Sequence, residues 1–354
     1  MLISAFDYEL PEELIAQHPA ERRDASRMLV VERSSGTWRD SHFSELPAEL
    51  RAGDCLVVNN TRVFPARLMG RRVPSGGRVE LLLVREMVER GPGVWEALTR
   101  PARRLEVGAR VEFGGGDSSR LVAEVVESFA DGRRALRFEP AGDFDALLEE
   151  LGEMPLPPYI RREGQPDAER AEDRERYQTM FAAPRGAIAA PTAGLHFTPH
   201  VAEHLRARGL SIVELTLHVG YGTFAPVRVK DLSEHRVEPE RFEVGEEAAD
   251  NINRARSGGG RVVAVGTTSV RALESAADAQ GRVRAGRGET GLTITPGREF
   301  RAVDALFTNF HLPRSSLLVL VAAFAGRELI LNAYAHAVRA RYRFYSYGDC
   351  MLIS

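Results

Sequence analysis

The chain has 354 residues, 44% of them hydrophobic, a formal net charge of -3 and two cysteines, Cys55 and Cys350. That length and apolar content allow a sizeable core and two or three domains, while the charge excludes a protein that is basic over its whole surface. Two isolated cysteines exclude a disulfide framework, no apolar run is long enough to span a bilayer, and MLISAFDYELPEELIAQ carries acids where a signal peptide would be basic, so the expected product is soluble and cytoplasmic.

In chain order, DCLVVNNTRV reads as a first strand. From Arg62 to about Glu150 come short alternating runs, RVELLLVREM, ARVEFGGG, RLVAEVVESF and RRALRFEP, separated by Gly-rich and Asp-Gly turns. Period-two alternation of this kind predicts antiparallel strands in a small barrel or sandwich. MPLPPYIRREGQPDAERAEDRERYQTMF opens with prolines and becomes almost wholly charged, which predicts a mobile or irregular surface connection without a packed core.

After Ala187 the pattern alternates strand and helix. AIAAPT is expected to be a short buried strand, and Thr198-Pro199 to start a helix that stops at Gly209. LSIVELTLHVG predicts a strand with Ile212, Glu214 and Thr216 on one face and Val213, Leu215 and Leu217 on the other. GGRVVAVGTTSVRALESA reads as strand, polar turn and helix, and AVDALFTNFHLPRSSLLVLVAAFAG as strand, turn and a very apolar helix. The predicted fold class is therefore α/β: a mixed sheet flanked by helices in a discontinuous unit, residues 1–61 and 151–354, with an all-β unit, 62–150, inserted into it.

Each predicted strand ends in uncharged hydrogen-bonding residues: Asn59-Asn60-Thr61, Thr192 to His196, His218 to Thr223, Gly266 to Ser269, and Thr308 to His311. Ligand crevices in open α/β sheets lie beyond the carboxyl ends of the strands, so His196, His218 and His311 are candidates for one shared pocket. Each also has a duller reading as a satisfied core histidine. The glycines Gly220 and Gly222 allow a close approach to a ligand or simply a tight turn. VGTTSVR lacks the glycine spacing of a phosphate loop, and a plain capped helix explains it equally well.

His196, His200 and His204 are spaced four apart, but the helix start at Thr198-Pro199 separates the first from the others, so no metal site is expected. Cys350 has no basic partner nearby and is read as structural. In YIRR and DRERYQT, Arg161, Arg162, Arg174 and Arg176 alternate with Tyr159 and Tyr177, a mixture that suits RNA phosphates and splayed bases, although the interleaved acids also fit a solvated charged loop.

FDYELPEELIAQ, NNTRVFPARLMG, PLPPYI, DRERYQT, APTAGLHFT, LHVGYGTFAPV, VGTTSVRALES, VDALFTNFHLP and YRFYSYGD together resemble the S-adenosylmethionine:tRNA ribosyltransferase-isomerase family of queuosine biosynthesis, in that family's order from Phe6 to Asp349. The resemblance implies that the inserted unit is a β-barrel. It also implies a reaction: the ribosyl part of S-adenosylmethionine is transferred to a 7-aminomethyl-7-deazaguanine at the tRNA wobble position and isomerised to the epoxide of epoxyqueuosine, with release of adenine and methionine. S-adenosylmethionine is then a consumed substrate, tRNA the partner, and neither a metal nor a membrane is expected; a monomer is the default.

On that basis His196, His218 or His311 is the expected base for a proton beside the sulfonium, since a neutral imidazole does not repel a cation. Asn59, Asn60, Thr61, Thr192, Gly220, Gly222, Thr223, Thr267, Thr268 and Ser269 are the expected contacts for S-adenosylmethionine, and Tyr159, Arg161, Arg162, Arg174, Arg176 and Tyr177 those for tRNA. The sequence departs from the family pattern at His235-Arg236-Val237-Glu238, where a second histidine is missing, so His235 is given no catalytic role. Two alternatives stay open: an RNA-independent nucleoside or ribosyl-transferring enzyme, and an RNA-binding module whose histidines belong to the core.

Overall fold

The structure, a computed structural model, describes residues 1–114, 121–140, 142–162, 167–224, 227 and 229–354, with only the backbone of 167–169, 223 and 224. Its centre is a nine-stranded mixed sheet. From edge to edge the strands are Gly286–Thr290, Glu240–Val244, Ser211–Leu217, Cys55–Asn59, Val262–Val265, Ala305–Asn309, Cys350–Ile353, Arg27–Glu32 and Thr37–His42. The four from Ser211–Leu217 to Ala305–Asn309 run parallel, so Leu217, Asn59, Val265 and Asn309 finish at the same end of the sheet.

Three of these parallel strands are buried at every residue, as strands covered on both faces must be. Alternate side chains divide them between two core layers. Leu56, Val58, Val263, Val265 and Phe307 pack with Val201 and Leu205 of the helix Pro199–Ala207. Val57, Val262, Ala264 and Leu306 pack on the other side with Ile252, Val270, Leu273 and Leu318, which come from the helices Glu246–Ser257, Thr267–Ala276 and Ser316–Ala325. Ser316–Ala325 bends by 117° into Arg327–Arg339, and among the described residues no single helix is long and apolar enough to cross a membrane.

Six strands between Arg67 and Pro140 close into an antiparallel barrel. Inward residues such as Leu81, Val111, Ala123, Val125 and Leu136 fill it, and alternation along Leu121–Ser128 sets every second side chain inside. Gly70 is needed for closure: a Cβ there would lie 2.6 Å from the Phe113 ring. The helix Phe144–Leu151 follows, capped by Asp143, whose carboxylate accepts from the Ala146 amide at 2.7 Å.

Thr198 caps its helix as the sequence indicates, and Gly209 turns the chain at φ +82°. Three expectations differ. AIAAPT is not a strand of the main sheet; only its first residue is in a ladder, Arg185–Ala187 pairing with Arg62–Val63 in a separate two-stranded sheet, and Thr192–His196 forms a 3-10 turn. No polar turn follows Val262–Val265, because Gly266, at φ +86°, feeds directly into a helix whose first residues are Thr267 and Thr268. The arginine-rich connection contributes to the core after all: Met154, Ile160 and Tyr177 are buried in the main cluster, and Asp167–Arg176 is helical; residues 163–166 lie outside the described residues. The C-terminal run Cys350–Ile353, for which the sequence predicted no element, is an interior strand.

Candidate active site

The ends of the parallel strands are tied together before any ligand is considered. The Asn59 side chain donates to the Leu217 carbonyl (2.9 Å) and to Thr268 Oγ1 (3.2 Å) and accepts from the amides of Thr61 (3.1 Å) and Leu217 (3.0 Å). Both donors and both lone pairs are used, so Asn59 organises the junction of three elements and has no group left to offer. Asn60 is turned to the outer face of the neighbouring strand, where it donates to Glu214 (3.0 Å) and accepts from Thr216 (2.7 Å). Ser269 is spent on the Val265 carbonyl (2.7 Å).

Beyond this junction lies a cleft whose polar lining comprises Thr192, Thr267, Thr268, Thr308, Asn309, His311 and Ser346, with Phe310 and Tyr345 as aromatic walls. Among the described residues none of its lining side chains is an acid, a lysine or an arginine. The backbone of His311 is held from both sides, donating to the Tyr334 hydroxyl (3.0 Å) and accepting from that of Tyr8. Its Nε2 lies 3.0 Å from Thr308 Oγ1. Burial pushes the His311 pKa down to about 3, so the ring is neutral at physiological pH.

His196 lies next to this cleft without lining it. Asn309, which does line it, accepts from Thr192 (3.1 Å) and directs its amide nitrogen at His196 Nε2 (3.1 Å). With Nε2 accepting, the proton sits on Nδ1, which donates to Ser26 Oγ (2.9 Å). Burial first, then the charges of Arg23 and Arg343, lower the His196 pKa to about 3. The ring packs on Phe43 and Phe307 and faces a second cleft, which shares Ser346 with the first.

His218 occupies a third place. Its Nδ1 is 2.8 Å from Thr61 Oγ1, and burial, then Arg241, lower its pKa. Gly186 permits the ring to sit there, since a Cβ at that position would lie 2.6 Å from Nδ1. The single imidazole-rimmed cavity anticipated from the sequence is thus three neighbouring environments. Strand ends bring residues to one edge, but neighbouring strands and their turns aim side chains to different sides of it.

Gly220 and Gly222 do not line the cleft either: the Gly220 amide donates to Glu240 (2.8 Å), and Gly222 lies against Glu238. The side chain of Thr223 lies outside the described residues. Glu240 also pairs with Arg271, both nearly fully buried, which fastens this loop to the helix Thr267–Ala276. His235 faces a separate, mostly apolar cleft, where its Nε2 is buried without a partner among the described residues.

The residues considered for RNA are distributed unevenly. Tyr177 is fully buried and cannot stack on a base. The Tyr159 ring meets Tyr345 edge-on at 4.0 Å and its hydroxyl meets that of Ser346, so it supports the cleft wall from behind. Arg162 grips Asp173 with two bonds (2.8 and 3.1 Å), and Arg174 donates to the Glu149 and Gly152 carbonyls. Arg161 is exposed beside Glu12, and Arg176 reaches the Ala20 carbonyl at the mouth of the second cleft. Cys350 is buried in its strand, where burial raises its pKa, an environment unsuited to a nucleophilic thiolate.

Residues not singled out from the sequence include Thr308, Asn309, Tyr345 and Ser346. Thr308 and Asn309 lay within a polar strand end already noted. Tyr345 holds a left-handed backbone at φ +75°, a strained setting for an aromatic residue that marks the turn placing Ser346 between the two clefts. Among the described residues no group of three or more His, Cys, Asp or Glu side chains is placed to hold a metal ion.

Comparison with known proteins adds the family. The chain matches the family described as Queuosine biosynthesis protein over residues 3–353. It is 53% identical to the S-adenosylmethionine:tRNA ribosyltransferase-isomerase of Symbiobacterium thermophilum and 53% identical to that of Syntrophotalea carbinolica, each over 100% of both chains. The crystal structure of S-adenosylmethionine tRNA ribosyltransferase from Thermotoga maritima is similar at 38% identity and a TM-score of 0.56, with 99% of this chain and 100% of that one covered. This chain therefore belongs to the queuosine biosynthesis protein family, the family of the S-adenosylmethionine:tRNA ribosyltransferase-isomerases.

Proposed function

We propose that the protein transfers and isomerises the ribosyl part of S-adenosylmethionine onto 7-aminomethyl-7-deazaguanine at the tRNA wobble position, giving epoxyqueuosine-tRNA, adenine and methionine, and that S-adenosylmethionine occupies the cleft lined by His311. The observation that carries the placement is the character of that lining: hydroxyls, an amide, a neutral imidazole and two aromatic side chains, with no cationic side chain among the described residues. A sulfonium is not repelled there, and aromatic faces attract cations.

Within this reading His311 is the base that removes a 5′ proton made acidic by the neighbouring sulfonium, after which adenine departs. The ring lines the cleft and its lone pair is free of a proton at physiological pH; burial weakens it as a base, but unlike His196 it has no arginine charge further opposing the imidazolium that forms. Thr192, Thr267, Thr268 and Thr308 supply hydroxyls for the ribose and methionine groups. Asn59, Asn60 and Ser269 act as supports, and His196 sets the orientation of Asn309. The enzyme is read as a cytoplasmic monomer that needs no metal, built from a catalytic unit of residues 1–61 and 151–354 and a barrel unit of 62–150.

The test is adenine release from S-adenosylmethionine, with and without tRNA bearing the aminomethyl-deazaguanine. Release that depends on tRNA is expected. Release without tRNA would instead establish the RNA-independent ribosyl-transferring enzyme, and tRNA binding with no release would leave an RNA-binding module.

A further inference from the structure

The second cleft has a property that the first lacks. Arg23 and Arg176 both stand in its wall, beside Ser26, His196 and Ser346. Each arginine is held by the other's segment: Arg23 donates to the carbonyls of Glu175 (3.0 Å) and Gln178 (2.8 Å), and Arg176 donates to that of Ala20. Carbonyls fix the geometry of a guanidinium but do not neutralise it. Among the described residues Arg23 has no carboxylate at ion-pair distance, the Glu175 charge acting on it less than that of Arg176, while Arg176 has only Glu172 at 3.8 Å, itself 51% exposed. The two positive charges are close enough that Arg176 lowers the Arg23 pKa, second only to burial. Like charges brought together in a partly desolvated wall are relieved by an oxyanion.

Resting on the function proposed above, we propose that this second cleft receives the RNA, with Arg23 and Arg176 gripping a backbone phosphate beside His196 while S-adenosylmethionine enters from the opposite side. Ser346, common to both clefts, and the Asn309–His196 pair would then form the partition at which the two substrates meet. The same guanidinium pair could in chemical terms hold the carboxylate of S-adenosylmethionine. That molecule also carries a sulfonium and an ammonium, however, and a paired positive wall favours a polyanion over a net cation.

The proposal is tested by binding of tRNA bearing the aminomethyl-deazaguanine to Arg23→Gln, Arg176→Gln and Arg23→Lys proteins across a salt series, with thermal unfolding and the S-adenosylmethionine KM measured in parallel. Each Gln variant should weaken tRNA binding several-fold and reduce the slope of log affinity against log salt by roughly 0.7–0.9, the loss of one phosphate contact. Arg23→Lys should restore most of that slope, and the KM should stay within about twofold, since neither arginine lines the first cleft. Unchanged tRNA affinity and slope in folded Gln variants would overturn it. So would a raised KM with normal tRNA binding, which assigns the pair to the carboxylate, or equal losses in the Lys and Gln variants, which assigns Arg23 to packing. Should Arg23→Gln fail to fold, Arg176→Gln carries the test. If the Gln variants lose tRNA affinity and slope as expected yet the wild-type protein releases no adenine, the catalytic reading fails and the phosphate site stands.

Discussion

His311 and His196 are equally buried, yet their neighbours give them different parts to play. His311 meets the cleft directly, so His311→Ala should lower kcat for adenine release by about 10²–10⁴-fold, the usual worth of a general base, with a modest change in KM. His218→Ala, away from both clefts, should cost less than about tenfold; a larger loss there than at His311 would move the base to the Thr61 side. The two buried rings also make stability depend on pH. Their pKa values fall from 6.5 in the unfolded chain to about 3 in the folded one, so the unfolded state takes up protons first. Stability is therefore complete above about pH 6.5 and declines as pH drops toward 3, by up to about 1.4 kcal/mol per pH unit for each ring. Urea unfolding at pH 7.5 and 5.5 should show that decline, and His311→Asn should remove part of it. Identical pH slopes in the two proteins would contradict the assignment. Residue types at these positions were legible in the sequence because they cluster at strand ends; which ring faces the cleft was not, since it depends on Asn309, Ser26 and Gly186 from distant segments.

At the scale of elements, the loop after Ser211–Leu217 is fastened to the helix Thr267–Ala276 by Glu240, which accepts from Gly220 and pairs with Arg271. Removing one member of a buried pair leaves the other charge unpaired, so Glu240→Ala should destabilise by about 3–5 kcal/mol in chemical denaturation. Glu240→Gln keeps an acceptor for Gly220 and should cost less; equal losses would show that the charge opposite Arg271, not the bond to Gly220, carries the effect, and small losses in both would show that the Thr290 and Leu292 carbonyls suffice for Arg271. The helices and most central strands could be read from periodicity, as Thr198, Gly209 and the alternation in SIVELTL show. AIAAPT could not. Its small apolar residues suit a buried strand, but only Ala187 enters a ladder, the short one with Arg62–Val63, and the rest leads into the turn that delivers Thr192 and His196.

Across the whole molecule, the last residues close the sheet. Cys350–Ile353 lies between Ala305–Asn309 and Arg27–Glu32, with every residue buried, and Asp349 accepts from the amides of Arg27 and Arg343 just before it. Deleting residues 350–354 should abolish cooperative thermal unfolding and leave protein that is insoluble or protease-sensitive, because an interior strand is lost and two rows of backbone groups lose their partners. A soluble truncated protein with a normal unfolding transition would mean that the remaining strands can close the gap. By itself the sequence determined the α/β class, an inserted all-β unit and the polar strand ends, because these follow from local periodicity and turn chemistry; that the inserted unit is a barrel and not a sandwich came from the family resemblance. Only the tertiary structure decided that the histidines face three environments, that Tyr177 belongs to the core and that Arg23 stands beside Arg176. Each of those outcomes depends on hydrogen bonds and packing between segments far apart in the chain, which no local pattern encodes.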